Sequence, residues 1–360
     1  MTVTPGQTLD QLETPQLLID LDVVDANLQR LFTALKDKPI DLRVHFKSLK
    51  CAGLAQYLAS KGVKQFLSAK VNEAEVLVDA GIKDVLIANQ VVGPIKMARL
   101  VELAKKATIR VCVDDADNVK ELSQAAEKAG VTIGVLVEVD VGMGRCGVEP
   151  GEPAVVLAKL IHESPGLRFD GLQGYDGHLQ QMPNGADKQA KCESGLAGLV
   201  GTRKQIEAAG IPVAIVTGAG TGTWEYVSSF EGMTEIQPGS FVLMDSIYHP
   251  IRPEFGCSLS ILTQVISKRP SWYVLDAGSK AISKDFGSPM LKDHAEETVD
   301  KLAEEHTIVK VESPQVKLGD RREVIPAHCC ATMNLHRQGL AIRNGKVEAV
   351  WPIEASGRYY

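Results

Sequence analysis

Lys47 closes a β-branched, alternating run, Arg43-Val44-His45-Phe46-Lys47-Ser48, just before a helical pattern takes over. A lysine presented at a strand end beside an apolar interior should have a depressed pKa and a nucleophilic amine able to form a Schiff base. Alone, such a lysine more often terminates a strand and keeps its ammonium in water. Other polar residues of the first 240 positions also follow strand-like runs. Asp140-Val141-Gly142-Met143-Gly144-Arg145-Cys146-Gly147 holds Arg145 between glycines, where a fixed guanidinium can bind a phenolate oxygen or a carboxylate. Tyr175-Asp176-Gly177-His178 offers an aromatic handle and a titratable imidazole on one loop. Thr217-Gly218-Ala219-Gly220-Thr221-Gly222-Thr223 lets backbone amides and hydroxyls converge on an anion, and Pro238-Gly239-Ser240 follows the next strand. The glycine spacing is not a dinucleotide fingerprint, and read alone it is as well explained by a glycine-rich turn.

These residues need elements that bring them together. Short apolar runs at 42–46, 65–68, 84–88, 108–113, 132–139, 171–175, 213–217 and 234–237 read as eight strands. Amphipathic stretches such as 71–80, 94–105, 116–129, 153–162 and 188–209 read as the helices between them. That rhythm predicts an α/β fold, a (β/α)8 TIM-type barrel, although a doubly wound sheet shares the alternation. In a barrel the chemistry lies at the carboxyl ends of the strands, and phosphate often sits between the last two loops. Lys47, Arg145, Tyr175, His178, Thr217–Thr223 and Gly239-Ser240 all fall at those ends.

Beyond about residue 245 the pattern changes to strand-like runs without long helices, at 258–267, 272–276, 307–313, 323–326, 339–343 and 346–351. The expected organisation is a barrel over 1–245 and a mostly β domain over 246–360. An early strand at 16–20 precedes the first helix (23–35) and could pair with the β domain. That domain holds Pro326-Ala327-His328-Cys329-Cys330. On an extended segment His328 and Cys330 point to one side and can share a soft divalent ion with open positions for water and substrate. A packed histidine beside a buried cysteine is the bland alternative.

Bulk properties bound the rest. A length of 360 residues, 44% hydrophobic and 23% charged, suits a globular protein. A net charge of −6 without a basic block argues against nucleic acid, and no apolar run is long enough for a membrane span. The first residues lack the layout of a secretory signal, and seven scattered cysteines read as reduced cytoplasmic thiols.

Together the lysine, the anion loop and the ring-facing residues point to a pyridoxal 5′-phosphate (PLP) enzyme. The chain from about Thr14 to Tyr360 resembles the fold-type III PLP enzymes grouped as D-threonine aldolase and D-serine dehydratase, whose barrel is like that of alanine racemase. The family's Arg-Pro-His-x-Lys-Thr-His-Lys stretch stands here as Arg43-Val44-His45-Phe46-Lys47-Ser48-Leu49-Lys50, with Val44 and Leu49 departing from it. The resemblance implies that Lys47 is the PLP lysine, that Arg145 touches the phenolic oxygen and that Tyr175 lies beside the ring. It implies a phosphate cradle from Thr217, Gly218, Gly220, Thr221, Gly239 and Ser240, and a metal pair, His328 and Cys330, for zinc or manganese. Some D-threonine aldolases carry a histidine that deprotonates the substrate hydroxyl where this chain has Gln181; His178 could serve instead.

The activity implied is that of a lyase on D-β-hydroxy-α-amino acids. Retro-aldol cleavage to glycine and an aldehyde, as in D-threonine aldolase, fits the overall pattern more closely. Dehydration of D-serine or D-3-hydroxyaspartate is the alternative, and Cys330 resembles that branch. A PLP carrier without turnover would not need the last hundred residues, and a racemase would need a second-domain tyrosine such as Tyr248 or Tyr273. Relatives form head-to-tail dimers, which implies a homodimer.

Overall fold

The computed structural model describes residues 3–294 and 296–360. They form two compact units. One comprises Leu35–Lys47, Ala55–Gly239 and Arg358–Tyr360; the other takes the chain up to Ala34, Ser48–Leu54 and Ser240–Gly357.

Strand β1 (Gln16–Asp20) and helix α1 (Leu21–Leu35) come first, then β2 (Asp41–His45), α2 (Ala52–Ser60), β3 (Gln65–Ser68), α3 (Val71–Asp79) and β4 (Asp84–Ile87). Next are α4 (Pro94–Ala104), β5 (Thr108–Val113), α5 (Ala116–Ala129), β6 (Ile133–Glu138), α6 (Glu152–Glu163) and β7 (Leu167–Gly174). The run ends with α7 (Ala186–Ala208), β8 (Ile215–Gly218), α8 (Trp224–Ser228) and β9 (Glu235–Ile236). Strands β2 to β9 are parallel and close into a barrel, with β9 pairing back onto β2. This is the (β/α)8 architecture that the alternation predicts. Local chemistry sets the helix ends. The Asp115 carboxylate caps α5 by accepting from the amides of Asp117 at 2.7 Å and Asn118 at 3.1 Å, and Gly130 ends that helix in the left-handed region.

The register identifies the side chains that fill the barrel. A fully buried layer of Leu67, Leu86, Cys112 and Leu136 crosses its middle. Toward the amino-terminal ends lies an ion network that the sequence reading did not anticipate. Arg43 reaches Asp84 at 2.6 Å and Glu235 at 2.9 Å, while Arg110 reaches Asp84 and Asp170, each at 2.7 Å. Gly134 makes room for it, because a β-carbon there would stand 2.4 Å from Asp170 Oδ2. Such buried pairs gain little over apolar packing, yet removing one partner leaves an uncompensated charge.

The other unit is built on a sheet. Its strands are β10 (Leu259–Arg269), β11 (Trp272–Leu275), β12 (Met290–Leu291), β13 (Thr298–Leu302), β14 (Thr307–Lys310) and β15 (Arg321–Ile325). After the short helix α9 (Cys329–Met333) come β16 (Gln338–Arg343) and β17 (Lys346–Pro352). The main path runs β13-β14-β11-β10-β1-β16-β17, with β15 pairing β10 and β12. Strand β1 thus sits between β10 and β16, and Leu18 packs with Leu262, Leu340 and Ile342. The six strands expected in this region are present. Strands β12 and β13 are additional. Among the described residues no helix is long and apolar enough to cross a membrane.

Candidate active site at the carboxyl ends of the barrel strands

Strand β2 ends at His45, and Lys47 follows on a single 3-10 turn, Phe46–Ser48. That turn lifts Lys47 out of the barrel wall and leaves it half-buried. Its backbone amide donates to His45 Nδ1 at 3.3 Å, so the histidine at the strand end props the turn. Lys47 Nζ lies 5.3 Å from the centroid of the Tyr175 ring, and Arg145 Cζ lies 5.5 Å from the same centroid. All three line one cavity of about 170 Å³ with His45, Asn89, Cys146, Gln173 and Gln237. A wider groove of about 540 Å³, lined by α4 and α5 residues such as Met97 and Val101, touches none of these groups. Only the smaller of these two cavities gathers an amine, a guanidinium and an aromatic ring.

Arg145 is held from behind by Glu138, the last residue of β6, at 3.7 Å. Gln90 donates to Glu138 Oε2 at 2.7 Å and to Asp114 Oδ2 at 3.1 Å. Burial pushes the Glu138 carboxyl above its usual pKa, against the lowering pull of Gln90 and Arg145. His45, Glu138 and Gln173 were not singled out by the sequence reading. For Glu138 the signal was there: a carboxylate ending a run of apolar residues, Ile133-Gly134-Val135-Leu136-Val137-Glu138.

The glycine loop follows β8. Thr217 Oγ1 is buried with no hydrogen-bond partner, and its register with Gln173, a cavity residue, puts it on the barrel's inner side. A β-carbon on Gly218 would meet the Gly174 carbonyl oxygen at 2.4 Å, and one on Gly220 would meet Gln180 Oε1 at 2.4 Å. The turn therefore packs against the β7 loop, and Thr221 within it is buried. Gly239 ends the barrel unit and Ser240 begins the other, where Ser240 Oγ lies 3.5 Å from Ser48 Oγ. His178 and Gln181 are both exposed, and neither is among the described residues lining the Lys47 cavity. His178 Nε2 faces Gly142, where it would stand 3.5 Å from a β-carbon.

These residues fit PLP. An amine at the cavity wall, a guanidinium and an aromatic ring beside it, and an orphaned buried hydroxyl next to a glycine turn are the groups needed for an aldehyde, a phenolic oxygen, a ring and a phosphate.

In the sheet unit, His328 and Cys330 do not lie on an extended segment, which corrects that expectation. His328 has extended backbone but caps α9, and Cys330 is already inside the helix. The cause is Asp245, fully buried, whose Oδ2 accepts the Cys329 amide at 2.9 Å and so starts the helical turn. The two side chains meet nonetheless. Burial works against the His328 imidazolium, but the hydrogen bond and charge of Cys330, with Asp245 and Asp285, outweigh it and raise the pKa. His328 Nδ1 is buried without a hydrogen-bond partner, and the Cys330 thiol donates to Ser48 Oγ at 3.1 Å. Nδ1 has the Asp285 carboxylate near it, at 3.8 Å, and an imidazole that meets a thiol in this way suits a soft divalent ion. A second cluster, His294, Glu296 and Glu297, is already engaged, since Glu297 accepts from Tyr273 Oη at 2.5 Å and pairs with Arg322 at 3.4 Å.

Comparison with known proteins identifies the family and the fold. Residues 19–246 match the family model "Alanine racemase, N-terminal domain", and residues 258–342 match "Putative serine dehydratase domain". The chain is 37% identical over 368 residues to the 3-hydroxy-D-aspartate aldolase of Paracoccus denitrificans (strain Pd 1222), covering 99% of this chain and 95% of that one. It is 36% identical over 360 residues to a D-threonine aldolase of Arthrobacter sp., covering 98% and 95%. The crystal structure of D-threonine aldolase from Filomicrobium marinum matches with a TM-score of 0.95 at 35% identity, covering 99% of this chain and 100% of that one. D-threo-3-hydroxyaspartate dehydratase from Delftia sp. HT23 shares the fold, with a TM-score of 0.85 at 24% identity, covering 96% and 99%. The chain belongs to the fold-type III PLP enzymes, in the branch that joins an alanine-racemase-type barrel to a serine-dehydratase-type domain.

Proposed function

We propose that this chain is a PLP- and divalent-metal-dependent lyase that cleaves D-β-hydroxy-α-amino acids by retro-aldol reaction, D-threonine and D-3-hydroxyaspartate among them. The observation that carries the reading is the meeting of Lys47 and Arg145 on the Tyr175 ring within one cavity, in a chain similar along its whole length to two aldolases.

PLP would be held by Lys47, Arg145, Tyr175, Thr217, Gly218, Gly220, Thr221, Gly239 and Ser240, and when bound it supplies a sink for the electron pair released at the substrate α-carbon. A zinc or manganese ion would be held by His328 and Cys330 and supplies Lewis acidity toward a hydroxyl oxygen. Lys47 holds and returns a proton at its Nζ. Arg145, positioned by Glu138, binds a negatively charged oxygen. Tyr175 keeps water from one face of the cavity. His178 is the group on the β7 loop able to take the hydroxyl proton, while Gln181 can only hydrogen-bond. A homodimer in the cytoplasm is part of this reading.

Dehydration is the second reading, favoured by the thiol of Cys330 as a soft ligand and by the serine-dehydratase-type domain. Incubation of the holoenzyme with D-threonine separates the two. Acetaldehyde and glycine support cleavage, 2-oxobutanoate and ammonia support dehydration, and L-allo-threonine alone, the product of inversion at the α-carbon, would indicate a racemase. The absence of any product from D-threonine, D-serine and D-3-hydroxyaspartate would leave a PLP carrier and overturn the lyase reading.

A further inference from the structure

Gln180 is 3% exposed, directly after the short turn Gly177–Leu179 that ends the β7 loop. Every polar atom of its amide is used. Gln180 Oε1 accepts the Gly222 amide at 2.8 Å, and Nε2 donates to Asp176 Oδ1 and to Thr223 Oγ1, each at 2.8 Å. Thr223 Oγ1 in turn accepts the Gly220 amide at 3.3 Å. Two glycines of the loop exist to admit this residue. A β-carbon on Gly220 would stand 2.4 Å from Gln180 Oε1, and one on Gly222 would stand 2.0 Å from the Gln180 carbonyl oxygen. The far end of the contact is fixed as well, because Asp176 is buried and its Oδ2 lies 3.9 Å from Cys192 Sγ of α7.

A turn with three glycines in five residues, Gly218 to Gly222, has large conformational freedom to lose. Left to itself it would have to be ordered by the anion, at the expense of affinity. A buried amide that grips the turn at Gly222 and Thr223 removes that freedom beforehand. It also ties the loop carrying Tyr175 to the turn carrying Thr221, which follows Thr217 at the end of β8.

We propose that Gln180 is a positioning residue, which sets the Gly220–Thr223 turn in the conformation that receives the cofactor's phosphate. The inference rests on the reading of this loop as the phosphate cradle. Gln180 itself does not touch the anion. Its effect is therefore selective: it governs affinity for the phosphorylated cofactor and not for the ring.

The test compares PLP with pyridoxal, which has the same ring and aldehyde but no phosphate, by titration of apoprotein in visible absorbance. In Gln180→Leu and in Thr223→Val, PLP affinity falls about 30-fold, equivalent to about 2 kcal/mol at 1.4 kcal/mol per tenfold. Pyridoxal affinity stays within about twofold, and Thr223→Ser, which keeps the hydroxyl, stays within about threefold of wild type for PLP. Should Gln180→Leu fail to fold, the Thr223 pair carries the test unaided. Equal loss for PLP and pyridoxal overturns the proposal, as does a Thr223→Ser protein as weak as Thr223→Val, because either result assigns general packing. Unchanged PLP affinity in Gln180→Leu, with wild type preferring PLP strongly over pyridoxal, overturns the role of Gln180 and leaves the cradle standing. A wild type that binds both equally overturns the cradle and this proposal with it.

Discussion

Lys47 Nζ and the ring of Tyr175, at 5.3 Å, are brought together by strands that are not neighbours in the barrel, β2 and β7. Neither residue is near the other in sequence. The closed barrel joins them, because both extend just past a carboxyl strand end. The approach of a cation to an aromatic face also favours an extended lysine over one folded back on the wall. Lys47→Ala should keep the barrel, since Lys47 is half-buried at the cavity wall while its neighbour Phe46 is the fully buried core residue. The variant should lose the borohydride-trapped pyridoxyl adduct completely. Turnover should drop on the order of 10⁴-fold or more, the scale of removing a covalent nucleophile. Mass spectrometry of the reduced, digested wild type checks the site, and an adduct elsewhere would exclude Lys47.

Glu138 behind Arg145 leads to a second expectation. Glu138→Gln keeps the shape and the hydrogen bond to Gln90 but removes the charge that orients the guanidinium. A lost partly buried pair of this kind is worth about 1–2 kcal/mol, hence roughly 10-fold in kcat/KM. The cofactor absorbance maximum should move as well, which a purely structural role would not require. The pH dependence has a definite sign. The Glu138 pKa is raised, so its carboxylate protonates earlier than an ordinary one as pH falls, and the pairing with Arg145 is lost through that raised pKa. The absorbance of wild type should change over that range while that of Glu138→Gln stays constant.

Much of this arrangement was legible in the chain. The barrel strands are short apolar runs, and their alternation with longer helical stretches is what finds them. Strand β13, Thr298–Leu302, buries only Val299 and so carries no period-two signal, and β12 is two residues long. The helical turn after His328 depends on Asp245, more than eighty residues earlier, which no local pattern could reveal. Gln181 drew notice by its place in a motif, whereas burial singles out its neighbour Gln180. The ions inside the barrel were visible as charges, but their pairing was not, since Arg43 and Glu235 meet only when the barrel closes.

The proposed metal pair, His328 and Cys330, gives a third expectation. Prolonged chelation should remove the ion and the activity, with zinc or manganese restoring the latter. His328→Ala should lower bound metal to background, measured by elemental analysis, while the PLP absorbance remains. Cys330→Asp replaces a soft donor with a hard one, and its preference should move from zinc toward manganese. A wild type free of metal and fully active would refute the assignment of His328 and Cys330.

The ion network beneath the apolar layer makes the last case, and it concerns stability alone. Arg43 is fully buried between Glu235 and Asp84, so Arg43→Met should destabilise by about 3–5 kcal/mol, the cost of stranding buried charges. Acid should act on the same contacts. Burial works to raise the Asp84 pKa, but Arg43 and Arg110 outweigh it and hold the carboxyl below its ordinary value. In the unfolded chain that group titrates near about 3.9. The folded state therefore binds fewer protons in this window. Asp84 contributes its stabilisation in full above the unfolded pKa and loses it as pH falls through the lowered folded pKa. Asp84→Asn should thus be clearly less stable than wild type near neutral pH, with the gap narrowing in acid. Urea midpoints at about pH 7 and about pH 3 measure this. A gap that stays constant would show that the carboxylate's charge contributes nothing to the fold.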